Sequence, residues 1–439
     1  MEQQLILELL PKLFLMTKSN SFSNDLSAEQ FAKQAFLAKQ NIANLPTSLK
    51  NKVLLQVAQE IINNSSVILQ ANHLDVENAK QNNLEPAKID RLILTEKTLN
   101  SISQAVIDIA NLPDPVGKIS YNVNRQNGLN IQRISVPIGV LLVVYESRPN
   151  VTSDVSALAI KSGNVAILRC GSDSYQSSVA IANIYKKVLQ NFNLNHNIVS
   201  FCYNNNRDFL QQLLQLPQYI DVIIPRGGKS LISAISDNTK IALFKHLDGN
   251  CHTYVHSEAN FEKAIKIILN AKLRRTGICG ATESLLLDES IAKQFLPLLC
   301  QALQEQNCQI RGDDLSCSLN SYIIPATKQD YYQEYLDKIV SLKIVKNISE
   351  AIDWINIHSS AHTESIITEN NQVAQQFLQQ VDSAIVMHNS STQFADGGEF
   401  GLGAEVGIAT GKLHARGPVG LEQLTTYKYL VSADCGLRS

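Results

Sequence analysis

A chain of 439 residues with a formal net charge of −2 and 44% apolar residues is long enough for two or three domains, each with a sizeable core. Its charges are mixed along the sequence, which argues against general nucleic-acid binding, since that needs a clustered basic field. The eight cysteines are scattered without a C-x-x-C, a pattern of free thiols in a reducing compartment rather than of a disulfide framework.

No apolar run approaches the ~18 residues a membrane helix requires. The apolar stretch Leu5 to Met16 carries Glu8 and Lys12 and lacks a basic start, so it does not read as a signal peptide. The expectation is a cytoplasmic protein with a poorly defined tail over residues 1–22. From Ser27 to Ala110 the pattern is helical, with Ala32, Ala35, Phe36 and Ala38, then Leu54, Leu55, Val57, Ala58, Ile61 and Ile62 at three- and four-residue spacing. Leu112-Pro113-Asp114-Pro115 ends that region, because proline cannot continue a helix.

Strand-like segments follow. Leu129 to Ile134 alternates with period two, while Val140 to Tyr145 is a continuous apolar run, as expected of a strand buried on both faces. Val165 to Arg169, Ile198 to Tyr203 and Asp221 to Pro225 look alike, and helical stretches at Ser177 to Leu189 and Asp208 to Leu216 separate them. This alternation predicts an open, doubly wound α/β sheet with its ligand crevice at the strands' carboxyl ends. A second α/β unit begins after about residue 252, and Leu424 to Val431 reads as an edge strand.

The chemistry concentrates around Cys279. It lies in a loop of small residues after the helical pattern Phe261 to Lys272 and before the apolar strand Ser284 to Leu287, with Arg274 and Arg275 upstream. Positive charge beside a thiol favours thiolate, the nucleophilic form. After the Val140 strand comes Arg148-Pro149-Asn150, where Asn150 is either an oxyanion donor or a helix N-cap. Arg169 to Ser174 and Pro225-Arg226-Gly227-Gly228 end two further strands; they read as nucleotide contacts or as ordinary βα turns. Gly401 to Gly407 is not a G-x-G-x-x-G, and His358 and His362 lack the acidic partner of H-E-x-x-H, so neither a dinucleotide fingerprint nor a metal is expected there.

Taken in order, Arg148-Pro149-Asn150, Pro225-Arg226-Gly227-Gly228, His246-Leu247-Asp248-Gly249-Asn250-Cys251-His252 and Gly277-Ile278-Cys279 resemble the aldehyde dehydrogenase superfamily. Leu112 to Gly117, Val136 to Val140, Tyr145 to Thr152, Asp221 to Gly228, Val345 to Ile366 and Phe400 to Tyr429 narrow the resemblance to its reductases of glutamate 5-phosphate. The resemblance implies three parts: an NADP-binding domain (23–118 and 137–252), a catalytic domain carrying Cys279 (253–421) and an oligomerisation β-flap (119–136 and 422–439).

It also implies a reaction. Cys279 attacks the acyl phosphate, a thioester forms, and NADPH reduces it to glutamate 5-semialdehyde in proline biosynthesis, while Asn150 and the Cys279 N–H hold the oxyanion. Where hydrolytic members carry a water-activating glutamate this chain has His246, a candidate proton donor or a packing residue. Arg169 and Ser172 suit a 2′-phosphate, with Asp173 opposing, and Gly227 and Gly228 face the cofactor's phosphates. Glu334 and Leu336 align with the nicotinamide ribose contacts; the plain reading of Glu334 is an exposed helical glutamate. Arg148, Arg275, His414 and Arg416 are candidate anchors for the substrate's anions, or structural ion pairs. Gly280 departs from the asparagine common in relatives and is expected to alter loop flexibility.

A homo-oligomer of at least two chains is expected, with association to glutamate 5-kinase as a further expectation. The rival readings are a hydrolytic or coenzyme A-acylating thiol dehydrogenase, and a catalytically silent nucleotide-binding paralogue.

Overall fold

The computed structural model describes residues 26–245 and 248–438. Its described residues divide into two compact units, one formed by residues 26–243 together with 424–438, the other by those within 244–423.

The first unit opens with helices α1 (Ala28–Ala43), α2 (Thr47–Asn63), α3 (Ser65–Gln81), α4 (Pro86–Leu92) and α5 (Glu96–Asn111). Ser27 starts α1 with a capping box: its Oγ accepts from the Gln30 N–H and its own N–H donates to Gln30 Oε1. Helix α5 stops at Leu112, held extended (ψ 150°) ahead of Pro113.

Strands β1 (Ile119–Asn124) and β2 (Asn130–Pro137) pair antiparallel. Strand β3 (Val140–Tyr145) follows, buried at all six positions, and then α6 (Pro149–Ser162), which ends at Gly163 in the left-handed region (φ 75°). The rest is β4 (Val165–Cys170), α7 (Tyr175–Asn191), β5 (Val199–Phe201), α8 (Arg207–Leu213), β6 (Val222–Arg226), α9 (Lys229–Asp237) and β7 (Ala242–Leu243). The sheet order is β5-β4-β3-β6-β7, all parallel, so the apolar β3 lies at its centre, covered on both faces. Strand β5 is shorter than the Ile198 to Tyr203 run, because a 3₁₀ turn at His196–Ile198 leads into this edge strand. The last strand, Thr425–Ser432, pairs antiparallel with β2 to complete a three-stranded sheet. Its Tyr427, Tyr429, Leu430 and Val431 are exposed.

The second unit is a seven-stranded parallel sheet of β8 (Cys251–Val255), β9 (Thr282–Asp288), β10 (Gln309–Gly312), β11 (Ile324–Pro325), β12 (Ile339–Val345), β13 (Thr363–Ile367) and β14 (Ile385–His388). Its order is β11-β10-β12-β9-β8-β13-β14. Helices α10 (Phe261–Leu273), α11 (Glu289–Glu305) and α12 (Asp314–Leu319), with α13 (Ile348–His358) and α14 (Asn371–Gln380), pack on it over two apolar clusters. Strands β8 and β9, both fully buried, lie side by side, and their register shifts between Cys251 and His252. That irregularity is local to the loop carrying Cys279. No helix among the described residues is long and apolar enough to cross a membrane.

Candidate active site

Cys279 occupies the turn between α10 and β9, where the Ala281 N–H closes back on the Ile278 carbonyl (3.0 Å). It is half-buried and packs beside Ile385, Met387, Ala395 and Ile408. Three contacts fix this loop. The Cys251 thiol donates to the Cys279 carbonyl oxygen (3.1 Å). Gly249 lies so close that a Cβ there would meet Cys279 Cα and C at 2.7 Å. Buried Gln393 holds the loop's base: its Nε2 donates to the Ala271 and Arg275 carbonyls (2.8 and 3.3 Å) while its Oε1 accepts from Arg274 Nε (2.9 Å).

Arg274 is thereby turned to Gln393, and Arg275 is exposed. Gly280 is buried, and a Cβ there would sit 3.2 Å from the Thr392 carbonyl, so the small residue lets this loop seat against the 392–395 turn. Burial pushes the Cys251 thiol well up, with the Glu364 and Cys279 charges adding to the effect, so Cys251 remains a hydrogen-bond donor rather than a competing nucleophile. Its sulfur lies 3.6 Å from His362 Nδ1, and burial keeps that imidazole neutral to lower pH.

Glu334 is not in a helix. It is a half-buried residue of irregular chain just after the 3₁₀ turn Lys328–Tyr332, and its Oε1 accepts from the Gly249 N–H (3.0 Å). Leu336 follows with φ 55° and donates its N–H to Glu283 Oε1 (3.2 Å). Glu283 and Lys272 form an ion pair, both side chains fully buried. Burial, only partly offset by Lys272, raises the Glu283 carboxyl to about 7. His414 and Ala415 both lie in the left-handed region, and His414 Nε2 is 3.0 Å from the Gln423 carbonyl oxygen. Arg416 is paired with Asp382 (2.9 Å), which also pairs with Lys412. His358 ends α13 and His362 lies beyond it, so their spacing is not that of one helix face. His246 and Leu247 lie outside the described residues, as does the N-terminal stretch to residue 25.

In the first unit, Arg148 precedes α6 as its N-cap residue and Asn150 is the helix's second residue, so Asn150 does not cap it. The Asn150 Nδ2 donates to Asp154 Oδ2 one turn on (3.0 Å). Burial raises the Asp154 carboxyl to about 6, against the lowering effects of Asn150 and Arg226. Arg169 donates from one guanidinium nitrogen to the Asn205 carbonyl (3.2 Å), and its buried Nε has no partner among the described residues. Ser172 is exposed at the start of the turn Ser172–Ser174. Gly228 precedes α9, and its N–H donates to Glu146 Oε2 (3.2 Å), so a carboxylate sits at the helix end read as a phosphate seat.

Cys251, Gln393, Asp154, Lys272 and Glu283 were not singled out in the sequence. Two of them left a signal: Lys272 falls on the apolar stripe of α10 with Ala264, Ile268 and Ala271, and Glu283 stands just ahead of the apolar run Leu285 to Leu287 in the same strand. A charge in either place needs a partner.

The aldehyde dehydrogenase family model matches residues 20–338. The γ-glutamyl phosphate reductase of Erythrobacter litoralis is 46% identical over 92% of this chain and 95% of its own. That of Parvibaculum lavamentivorans is 48% identical over 94% and 98%. The crystal structure of the Thermotoga maritima γ-glutamyl phosphate reductase superposes with a TM-score of 0.92 at 40% identity, covering 94% of this chain and all of that one. The chain therefore belongs to the aldehyde dehydrogenase family, within its γ-glutamyl phosphate reductase branch.

Proposed function

We propose that this protein reduces L-glutamate 5-phosphate to L-glutamate 5-semialdehyde with NADPH, releasing phosphate, as the second step of proline synthesis from glutamate. The observation that carries the reading is the half-buried Cys279 held in a loop braced by Gly249, Cys251 and Gln393. By contrast, burial pushes the thiols of Cys170, Cys202, Cys251, Cys300 and Cys308 upward, away from nucleophilic thiolate.

The Cys279 thiolate's electron pair forms a bond to the acyl carbon, and the carbonyl π pair moves to the carbonyl oxygen. The Asn150 amide and the Cys279 N–H are the proposed donors to that oxyanion; losing one such donor typically slows a reaction about 100- to 1,000-fold. The C–O bond to phosphate then breaks, leaving a γ-glutamyl thioester. His246 is the proposed proton donor. With no glutamate at its position, the site lacks the base that would direct water onto the thioester. When bound, NADPH supplies the hydride that reduces the thioester, after which the aldehyde departs and the thiolate is restored.

The residues present fit that cofactor. Arg169 offers a buried Nε without a partner among the described residues, and the N-terminus of α9 after Gly227 and Gly228 is the proposed phosphate seat, which requires the Glu146 carboxylate now accepting the Gly228 N–H to move aside. Ser172, Glu334 and Leu336 complete the proposed set. For the substrate's anions the proposed anchors are Arg148 and Arg275, with His414 and Arg416 behind them, since Arg416 shares its charge with Asp382. The proposed domains are those of the sequence reading, and the exposed edge strand Thr425–Ser432 supports a flap that pairs with a second chain. A cytoplasmic location, and association with the kinase that makes the labile acyl phosphate, belong to the same proposal; a pull-down at native salt without co-purification would remove the latter.

The reverse reaction tests the reading. Pyrroline-5-carboxylate and NADP⁺ should give NADPH beyond a single equivalent per active site only when inorganic phosphate is present, and Cys279→Ala should abolish it. Turnover without phosphate would make the enzyme a hydrolytic dehydrogenase.

A further inference from the structure

Lys272 is the next-to-last residue of α10, and Glu283 is the second residue of β9. Their side chains meet with no exposure to solvent, so the pair bridges the two ends of the loop that carries Cys279. The same carboxylate also accepts the Leu336 N–H, two residues from Glu334, whose own carboxylate accepts the Gly249 N–H. Lys272 Nζ lies 5.9 Å from the centre of the Tyr335 ring, between those two residues. A buried ion pair is an inefficient source of stability, because desolvating both charges offsets most of their attraction. What this pair offers is geometry: one anchor that touches both the nucleophile loop and the 334–336 segment.

We propose that the Lys272–Glu283 pair is a positioning device that closes the base of the Cys279 loop and, through the Leu336 N–H, holds the 334–336 segment in place to grip the cofactor. The cofactor half of this rests on the proposed role of Glu334; the anchoring half does not. Leu336 adopts a left-handed backbone (φ 55°) that a non-glycine L-residue reaches only at some energetic cost, so its amide needs a fixed acceptor to stay there.

The decisive comparison is between two double variants. In K272M/E283L both charges are replaced by apolar groups of similar volume, a change that often leaves stability intact, but the acceptor for Leu336 is gone. In K272M/E283Q the amide oxygen retains that acceptor. NADPH affinity, read by the cofactor's fluorescence, should weaken at least tenfold in K272M/E283L and stay within about twofold of wild type in K272M/E283Q. Alkylation of Cys279 by iodoacetamide should be faster in both variants, since each lacks the Lys272–Glu283 pair that closes the loop; an unchanged rate in both folded variants would overturn that half of the proposal. Equal affinities in two folded variants would overturn the proposal and leave the pair a structural element only. Failure of the wild type to bind NADPH would overturn the cofactor half and the reading of Glu334 with it. Hydrogen exchange of the wild-type Leu336 amide decides the anchoring half even if the variants do not fold: slow exchange is expected, and exchange as fast as in an unstructured chain would overturn it.

Discussion

Gly249 lies flush against Cys279: a Cβ on Gly249 would stand 2.7 Å from the Cys279 Cα and closer still to its carbonyl oxygen. Real Cβ atoms do not approach backbone so closely, so any side chain there must displace the nucleophile loop. Gly249→Ala should keep the fold at a cost of about 1–3 kcal/mol, typical of overpacking, while kcat falls at least 100-fold. Circular dichroism with steady-state kinetics checks both, and near-normal kcat would show that the loop tolerates the shift.

Cys251 acts on the same peptide through its thiol. A net hydrogen bond of this kind is worth about 1 kcal/mol. Cys251→Ala should therefore lower kcat several-fold, and Cys251→Ser, which restores a donor, should recover most of it. Equal activity in the two variants would assign the residue to packing alone.

Asp154 makes a pH-dependent contribution to stability. Burial lifts its pKa in the fold to about 6 from the ordinary 3.8, so the folded state holds the proton more tightly than the unfolded chain. The penalty for ionising it in the fold appears as pH rises through roughly 4 to 6 and is complete above that window. Asn150 and Arg226 both oppose the shift without cancelling it. Relative to wild type, Asp154→Asn should gain thermal stability between pH 4 and 7, reaching a plateau above pH 6. A constant difference in Tm across that range would contradict the shift.

Trp354, the single tryptophan, stacks on His358 with ring centres 3.7 Å apart. Burial is the main cause lowering the His358 pKa from 6.5, with His252 and Lys343 adding to it. The imidazolium quenches indole emission, so fluorescence should fall on acidification with a midpoint below 6.5. Because this folded pKa is depressed, protonation favours the unfolded chain, and stability should decline as pH drops below 6.5. His358→Gln should abolish the fluorescence step; its persistence would point to another quencher.

Much of this architecture was legible before any coordinates. The run Val140 to Tyr145 announced a central parallel strand, and the flanking periodicities announced the loop that holds Cys279. The bracing of that loop was not legible, because it depends on Gly249 and Cys251 meeting the Cys279 peptide in space, a contact that no local pattern encodes. Glu334 was open to reading as an exposed helical residue for a related reason: its contact is to a backbone amide 85 residues away in sequence. Asn150 was equally ambiguous, since Pro149 already occupies the first helical turn and moves the cap back to Arg148.

The central claim is covalent chemistry at Cys279. Enzyme mixed with pyrroline-5-carboxylate and NADP⁺ in phosphate-free buffer should release one equivalent of NADPH per active site and then stop. Mass spectrometry of the digested protein should find a γ-glutamyl group on the peptide containing Cys279, and added phosphate should remove it. NADPH formation with that peptide unmodified, or modification of a different cysteine, would contradict the account.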